Sequence, residues 1–128
     1  MRPPKKARPT RHGVAFWIED KDGRVLLRRR PEQGLLGGMM EIPSTDWRDT
    51  TWTDAEAQIA APTDAGPWSA APGEVRHTFT HFYLRLRVLV GRSGRANKNL
   101  GTWVYPDDFD SLALPTAMKK VAGAVLGR

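Results

Sequence analysis

Phe82-Tyr-Leu-Arg-Leu-Arg-Val-Leu-Val90 alternates apolar and polar residues with the period of an extended strand. Phe82, Leu84, Leu86, Val88 and Val90 share one face, while Tyr83, Arg85, Arg87 and Leu89 share the other. A strand points successive side chains to opposite sides, so this pattern describes a sheet packed on one face and half-solvated on the other. Gly73 to Thr80 reads as another clear strand.

Upstream, Val14-Ala-Phe-Trp-Ile-Glu19 is rich in aromatic and β-branched types and reads as a strand. Asp20-Lys-Asp-Gly23 has the composition of a hairpin turn, with Gly23 free to take a positive φ. Arg24 to Arg30 returns as a second strand, and Met39 to Pro43 as a short third, joined by the flexible Gly34-Leu-Leu-Gly-Gly38. Thr53-Asp-Ala-Glu56 is a capping-box pattern that opens a short helix unable to pass Pro62. Downstream come a turn at Arg92-Ser-Gly-Arg95 and a strand over Thr102 to Tyr105. A last helix follows, with Thr116 as N-cap and Met118, Val121 and Val125 on its buried stripe. Strands first, a mid-chain helix, more strands and a terminal helix predict an α+β fold.

The 128 residues suit a single domain with one hydrophobic core. The 40% hydrophobic and 27% charged fractions are those of an ordinary globular chain. No apolar run approaches the roughly 18–20 residues that span a bilayer, so no membrane association is expected. The absence of cysteine excludes disulfides, thiolate nucleophiles, iron–sulfur clusters and Cys-based zinc sites within this sequence. A cytoplasmic, nucleoid-associated setting is the expectation. Arg2, Lys5, Lys6, Arg8 and Arg11 precede Val14 without an acid among them and contribute to a formal charge of +6. Residues 1–12 therefore read as a Pro-rich basic arm suited to a polyanion, or equally as a solubilising linker, with ordered structure from near Val14 and the domain over residues 13–128.

Several segments resemble a known family. Gly34-Leu-Leu-Gly-Gly-Met-Met-Glu-Ile-Pro43 resembles the lead-in to the catalytic box of Nudix domains, in the version seen in the C-terminal domain of MutY-type adenine DNA glycosylases. His77-Thr-Phe-Thr-His-Phe82 resembles that domain's lesion-contacting loop, a Phe-Ser-His sequence in many members. Trp103 through Leu114-Pro115-Thr116 to Lys119-Lys120 matches the closing strand and helix, and the basic arm sits where the interdomain linker enters. The resemblance implies a Nudix-like fold, a mixed sheet packed between helices.

It does not imply nucleotide hydrolysis. An active Nudix enzyme holds magnesium through hard carboxylates on one helix, in a frame that ends in a Glu-Glu pair. Counting from Gly34, Met40 falls at the first glutamate and Trp52-Thr53 at the pair. Aligning Pro43 with the usual Pro-Gly-Gly puts Ser44 and Thr45 at the glycines and leaves Glu56 as the helix's single glutamate. No Glu-Glu occurs in the sequence. Glu41 then reads as a solvated strand residue and Glu56 as a helix cap.

The segment with functional chemistry is His77 to His81. Oxidation of guanine to 8-oxoguanine turns N7 from an acceptor into an N–H donor and adds a carbonyl at C8. A hydroxyl both donates and accepts, so Thr80 suits that altered edge. Phe79 can stack on or wedge beside a base, and His81 can approach a phosphate or brace the loop. In an unbroken strand, Phe79 would instead be core and Thr80 an outward β-former. Family members carry serine where Thr80 adds a methyl, which puts the fit to the base at issue. Shared metal ligation by His77 and His81 fails on reach, because four extended residues span about 13 Å. No metal site is expected. Lys5, Lys6, Arg8, Lys119 and Lys120 are candidate phosphate contacts, with solvation the alternative for the two helix lysines. Arg28-Arg29-Arg30 alternates across its strand and reads as a solvated edge.

The implied role is that of a DNA-repair recognition domain. It would contact 8-oxoguanine opposite adenine in double-stranded DNA and lend mismatch specificity to an adenine DNA glycosylase in base excision repair. The parent's N-terminal domain would hold the catalytic residues and an iron–sulfur cluster; this chain would be a monomer with no catalytic residue or cofactor of its own. The rivals are a divergent Nudix hydrolase of oxidised nucleotides and a Nudix-fold protein-interaction module.

Overall fold

The computed structural model describes residues 8–63, 65–94 and 98–127. Its centre is strand β1 (Thr10–Glu19), whose alternation serves two cores at once. Ala15 and Trp17 point into one cluster, and Val14, Phe16 and Ile18 into another; all five are fully buried. A strand apolar on both faces belongs in the middle of a sheet. β1 lies between β2 (Val25–Arg29), which is antiparallel to it, and β6 (Tyr83–Arg92), which is parallel. The sheet runs β3-β2-β1-β6-β4, with β3 at Met40–Glu41 and β4 at Ser69–Ala70. β5 (Val75–Thr78) also pairs with β6, and β7 (Thr102–Val104) with β2. The sheet is therefore mixed, and the α+β expectation holds.

Each face is covered by helix. The helix α2 (Thr116–Leu126) lays Ala117, Met118 and Val121 on the larger cluster, beside Leu84, Leu86 and Val88 of β6. Phe109, from the 3-10 turn Pro106–Ser111, meets Trp17 edge-on with ring centroids 5.8 Å apart. On the other face Ala57 of α1 (Asp54–Ala60) joins Phe16, Leu26 and Leu89, with Trp52, Trp68 and Trp103 packed around them. No helix among the described residues is long and apolar enough to cross a membrane.

The local signals that formed as expected are those with a hydrogen-bonding cause. Thr53 caps α1 by accepting from the Glu56 amide, and the Glu56 carboxylate reaches back to the Thr53 amide. In the β1–β2 turn, Gly23 has φ +85° and the buried Asp20 carboxylate accepts from the amides of Asp22 and Arg24 and from the Arg24 guanidinium. Burial pushes that carboxyl upward, but these donors outweigh it and its pKa lies below the ordinary value.

Four expectations need correction. β1 begins at Thr10, not near Val14, because its first residues pair in register with Tyr83 to Arg85. Thr116 is not an N-cap. Pro115 holds that position, and its carbonyl already accepts from Met118 and Lys119. The outer face of β6 is half-solvated only as far as Arg87; Leu89 is 3% exposed because Trp68 and the α1 region cover the sheet there. Finally, β2 is not an edge, since it has neighbours on both sides.

Candidate nucleic-acid interface

β5 and β6 form a hairpin whose last ladder pair is Thr78 opposite Tyr83. The Phe79 amide donates to the Phe82 carbonyl at 2.9 Å, which leaves Thr80 and His81 as a two-residue tip, both exposed. The Thr80 hydroxyl has no hydrogen-bond partner among the described residues, whereas its carbonyl accepts from Arg8 Nε at 3.0 Å. α2 packs against β5 and β6 and gives the hairpin a rigid back.

Behind the tip stands an aromatic stack. Phe79 is half-buried against the larger core, so it is neither a free wedge nor wholly core. Its ring lies 4.8 Å from Phe82, 5.9 Å and near-parallel to Trp47, and edge-on to His77 at 4.7 Å. Trp47 can sit there because β1 has a glycine beneath it. A Cβ on Gly13 would lie 2.6 Å from Trp47 Cδ1. Arg11 places its guanidinium 4.6 Å from the Phe82 ring centroid, and Arg30 places its own 4.8 Å from that of Trp47.

His77 is half-buried, and its Nδ1 lies 3.1 Å from Lys120 Nζ. Burial first, and the neighbouring ammonium second, hold the imidazole below its ordinary pKa. It is neutral at pH 7, so Nδ1 accepts from Lys120. The same Nζ donates to the Arg76 carbonyl at 2.9 Å. Lys120 is thus tied to β5 and not merely solvated.

The structure brings Arg8, His77, Phe79, Thr80, His81 and Lys120 to one end of the molecule. Lys119 is not among them; it is exposed beside an apolar groove formed with Pro106, Phe109 and Leu114. Lys5 and Lys6 lie outside the described residues. Trp47, Arg11, Tyr83, Arg76 and Arg85 belong to the surroundings of the tip, and the sequence reading passed over them as site residues. For Tyr83 and Arg85 a signal existed, since both sit on the solvated face of the most regular strand.

The corner where the resemblance would put hydrolytic chemistry is different. Glu41 is 4% exposed, not solvated. Its Oε1 accepts from Arg28 Nε at 2.9 Å and its Oε2 from Arg30 Nη1 at 2.6 Å. Arg28 also donates to the Ser44 carbonyl, and Arg29 to that of Gly38. The three arginines, Glu41 and Ser44 line a cavity of about 670 Å³ together with Arg11, Asp46 and Trp47. Ser44 and Thr45, at the usual glycine positions, are stitched to β1: Val14 donates its amide to Thr45 Oγ1, and Thr45 returns its amide to the Val14 carbonyl. Glu56 is engaged with Arg48 at 2.8 Å. Among the described residues, no three His, Asp or Glu side chains converge on a point where they could hold a metal ion.

The NUDIX domain pattern matches residues 14–124. The chain belongs to the NUDIX domain family. Within that family it is of the MutY C-terminal type. The adenine DNA glycosylase of Homo sapiens is 36% identical over 107 residues, which are 76% of this chain and 20% of that protein. The Rattus norvegicus enzyme is 32% identical over 108 residues, again 76% of this chain, and 21% of its own length. The chain thus spans about a fifth of the curated relatives it matches. The C-terminal domain of mouse MUTYH, solved in complex with human PCNA, superposes with a TM-score of 0.66 and 26% identity over 91% of this chain and 88% of that one. The MutT protein of Methanosarcina mazei Go1 has a TM-score of 0.67 at 19% identity, covering 92% and 93%, a likeness of fold alone. This NUDIX domain is a DNA-repair domain by its relatives.

Proposed function

We propose that this NUDIX domain reads 8-oxoguanine opposite adenine in duplex DNA and lends that specificity to an adenine DNA glycosylase. The observation that carries the reading is the hairpin tip: an exposed Thr80 hydroxyl without a partner among the described residues, on a turn braced by Phe79 against Trp47 and Phe82. On unmodified guanine N7 and O6 both accept on the major-groove edge; 8-oxoguanine offers a donor at N7 and an acceptor at O8. One hydroxyl can accept from the first and donate to the second. Glycosidic bond cleavage belongs to an N-terminal domain of the parent, which would carry the iron–sulfur cluster. The engaged state of Glu41 and Glu56 supports a non-hydrolytic role for the domain itself.

The test is competitive binding of duplexes containing 8-oxoguanine or guanine opposite adenine, with this chain and with the full-length glycosylase. Thr80→Val keeps the branched shape but deletes the hydroxyl, and should reduce the preference for 8-oxoguanine about fivefold, the lower end of about 1–3 kcal/mol for a base contact. Thr80→Ser should keep the preference. An unchanged ratio in Thr80→Val, with the preference lost in Phe79→Ala, would mean that the loop recognises shape and not the N7–O8 edge.

A further inference from the structure

Beside the tip, on the outer face of the same hairpin, two arginines oppose each other. Arg76 of β5 is in direct register with Arg85 of β6. Like charges opposite each other across an antiparallel pair are destabilising. Among the described residues the one carboxylate paired with them is that of Glu74, whose Oε1 is 3.3 Å from Arg85 Nε and 3.9 Å from Arg76 Nε. A single negative charge cannot neutralise two guanidinium groups, and both stay open to solvent, with side-chain exposures of 71% for Arg76 and 41% for Arg85. Arg28 and Arg30 also share one carboxylate, but Glu41 is buried and gives each its own oxygen at 2.9 Å and 2.6 Å, whereas Arg76 and Arg85 face the same Glu74 oxygen at 3.9 Å and 3.3 Å.

The surplus charge continues toward the tip. Tyr83, two residues before Arg85 on the same face, is exposed, and the Arg8 guanidinium lies 5.7 Å from its ring centroid. The same Arg8 holds the Thr80 carbonyl. Between these groups is a depression of about 370 Å³ lined by Thr10, Arg76, Thr78, Tyr83 and Arg85. Lys120 grips the Arg76 carbonyl from the helix side and so fixes the outer strand. Two arginines, one tyrosine and two threonines therefore line the depression together with His77 and Leu84, and Arg8 joins it to the tip by standing over Tyr83 and holding the Thr80 carbonyl.

We propose that Arg8, Arg76 and Arg85 form a cradle for the sugar–phosphate backbone of a nucleic-acid strand whose neighbouring base meets the Thr80 tip. Guanidinium forks suit phosphate oxygens, and extended strands present them at regular spacing. Such contacts fix register and carry no sequence information. The proposal extends the reading of the tip and rests on it for the polarity of the strand, but its energetic signature is separate: salt dependence instead of base preference.

The test measures binding of this chain to 8-oxoguanine and undamaged duplexes between about 50 and about 200 mM salt, with Arg76→Gln/Arg85→Gln, Arg76→Lys/Arg85→Lys and, as a control at the far end of β6, Arg92→Gln. Each phosphate contact accounts for roughly a three- to fourfold loss of affinity over that range. The double glutamine variant should lose affinity for both duplexes alike and show a salt dependence shallower by about two contacts. The lysine pair should restore the slope, and the Arg92→Gln variant should keep it. Relief of the like-charge pair should leave the glutamine variant melting no lower than the parent. An unchanged slope in that variant overturns the cradle even where Thr80→Val abolishes 8-oxoguanine preference. A loss confined to the 8-oxoguanine duplex also overturns it, because the arginines would then be reading the base. A reduced slope with Thr80→Val inert removes the tip reading and leaves the cradle standing.

Discussion

The two ends of the aromatic stack treat charge in opposite ways. At the Glu41 corner every strong partner is internal: two guanidinium groups close on one buried carboxylate, and the backbone around Ser44 and Thr45 is bonded to β1. At the hairpin tip the Thr80 hydroxyl has no partner among the described residues, and Arg76 and Arg85 stay open to solvent around one oxygen of Glu74. Both ends lean on Trp47, which stacks with Phe79 on one side and carries Arg30 on the other. A domain that had kept hydrolytic chemistry would show the reverse, with carboxylates free at the corner. The contrast teaches that one scaffold can close charge on itself at one corner and leave charge and a hydroxyl open to solvent at a loop.

The sharpest way to break this comparison is Glu41→Gln. The substitution keeps the shape but strands two guanidinium groups around a buried neutral amide. Breaking a buried ion pair costs about 3–5 kcal/mol, and the partial exposure of Arg28 and Arg30 places this case near 3 kcal/mol. Urea denaturation measures the loss, and the 8-oxoguanine preference of the folded fraction should not change. If stability moves by less than about 0.5 kcal/mol while the preference collapses, the corner belongs to the reader and the contrast fails.

Phe79→Ala tests the shared middle. Removing a fully buried phenylalanine costs about 3–5 kcal/mol; a half-buried one in contact with Trp47, Phe82 and His77 should cost about 2 kcal/mol. Affinity for damaged and undamaged duplexes should fall together, because an aromatic brace does not read the N7–O8 edge. A variant of unchanged stability would show that the ring is a free wedge and not part of the stack.

Much of this architecture was legible along the chain, and the failures have a common cause. Period-2 alternation located β6, and the Thr53–Glu56 spacing located α1, because both signals depend on neighbours in sequence. The order of strands and helices gave the class. The corner was misread because Glu41 looks like any polar strand residue until Arg28 and Arg30, eleven to thirteen positions away, fold over it. Trp47 carries no local signal at all: its place depends on Gly13, far upstream on β1. At the tip, the His77–His81 segment was singled out by its side-chain chemistry and by resemblance, but the opposition of Arg76 and Arg85 depends on register, which the turn length sets. Tertiary pairing of charges is where the sequence was silent.

The smallest expected effect concerns the back of the hairpin, where His77 meets Lys120. With its pKa lowered by burial and by the Lys120 charge, folded His77 resists a proton that the unfolded chain accepts near the ordinary value of 6.5. Between the lowered folded value and 6.5 the unfolded state binds more protons, so stability rises with pH in that window and falls as pH drops through it. Once protonated, the ring can no longer accept from Lys120 Nζ, and the two cations repel across 3.1 Å. Lys120 should then loosen its hold on the Arg76 carbonyl, and the amides of β5 should exchange faster. His77→Gln retains a neutral acceptor that cannot be protonated, and should flatten the decline in melting temperature between about pH 7.5 and about pH 5. If His77→Gln keeps the parent's full decline on acidification, the imidazole is not the group that titrates, and the ordered back of the hairpin is maintained by α2 packing alone.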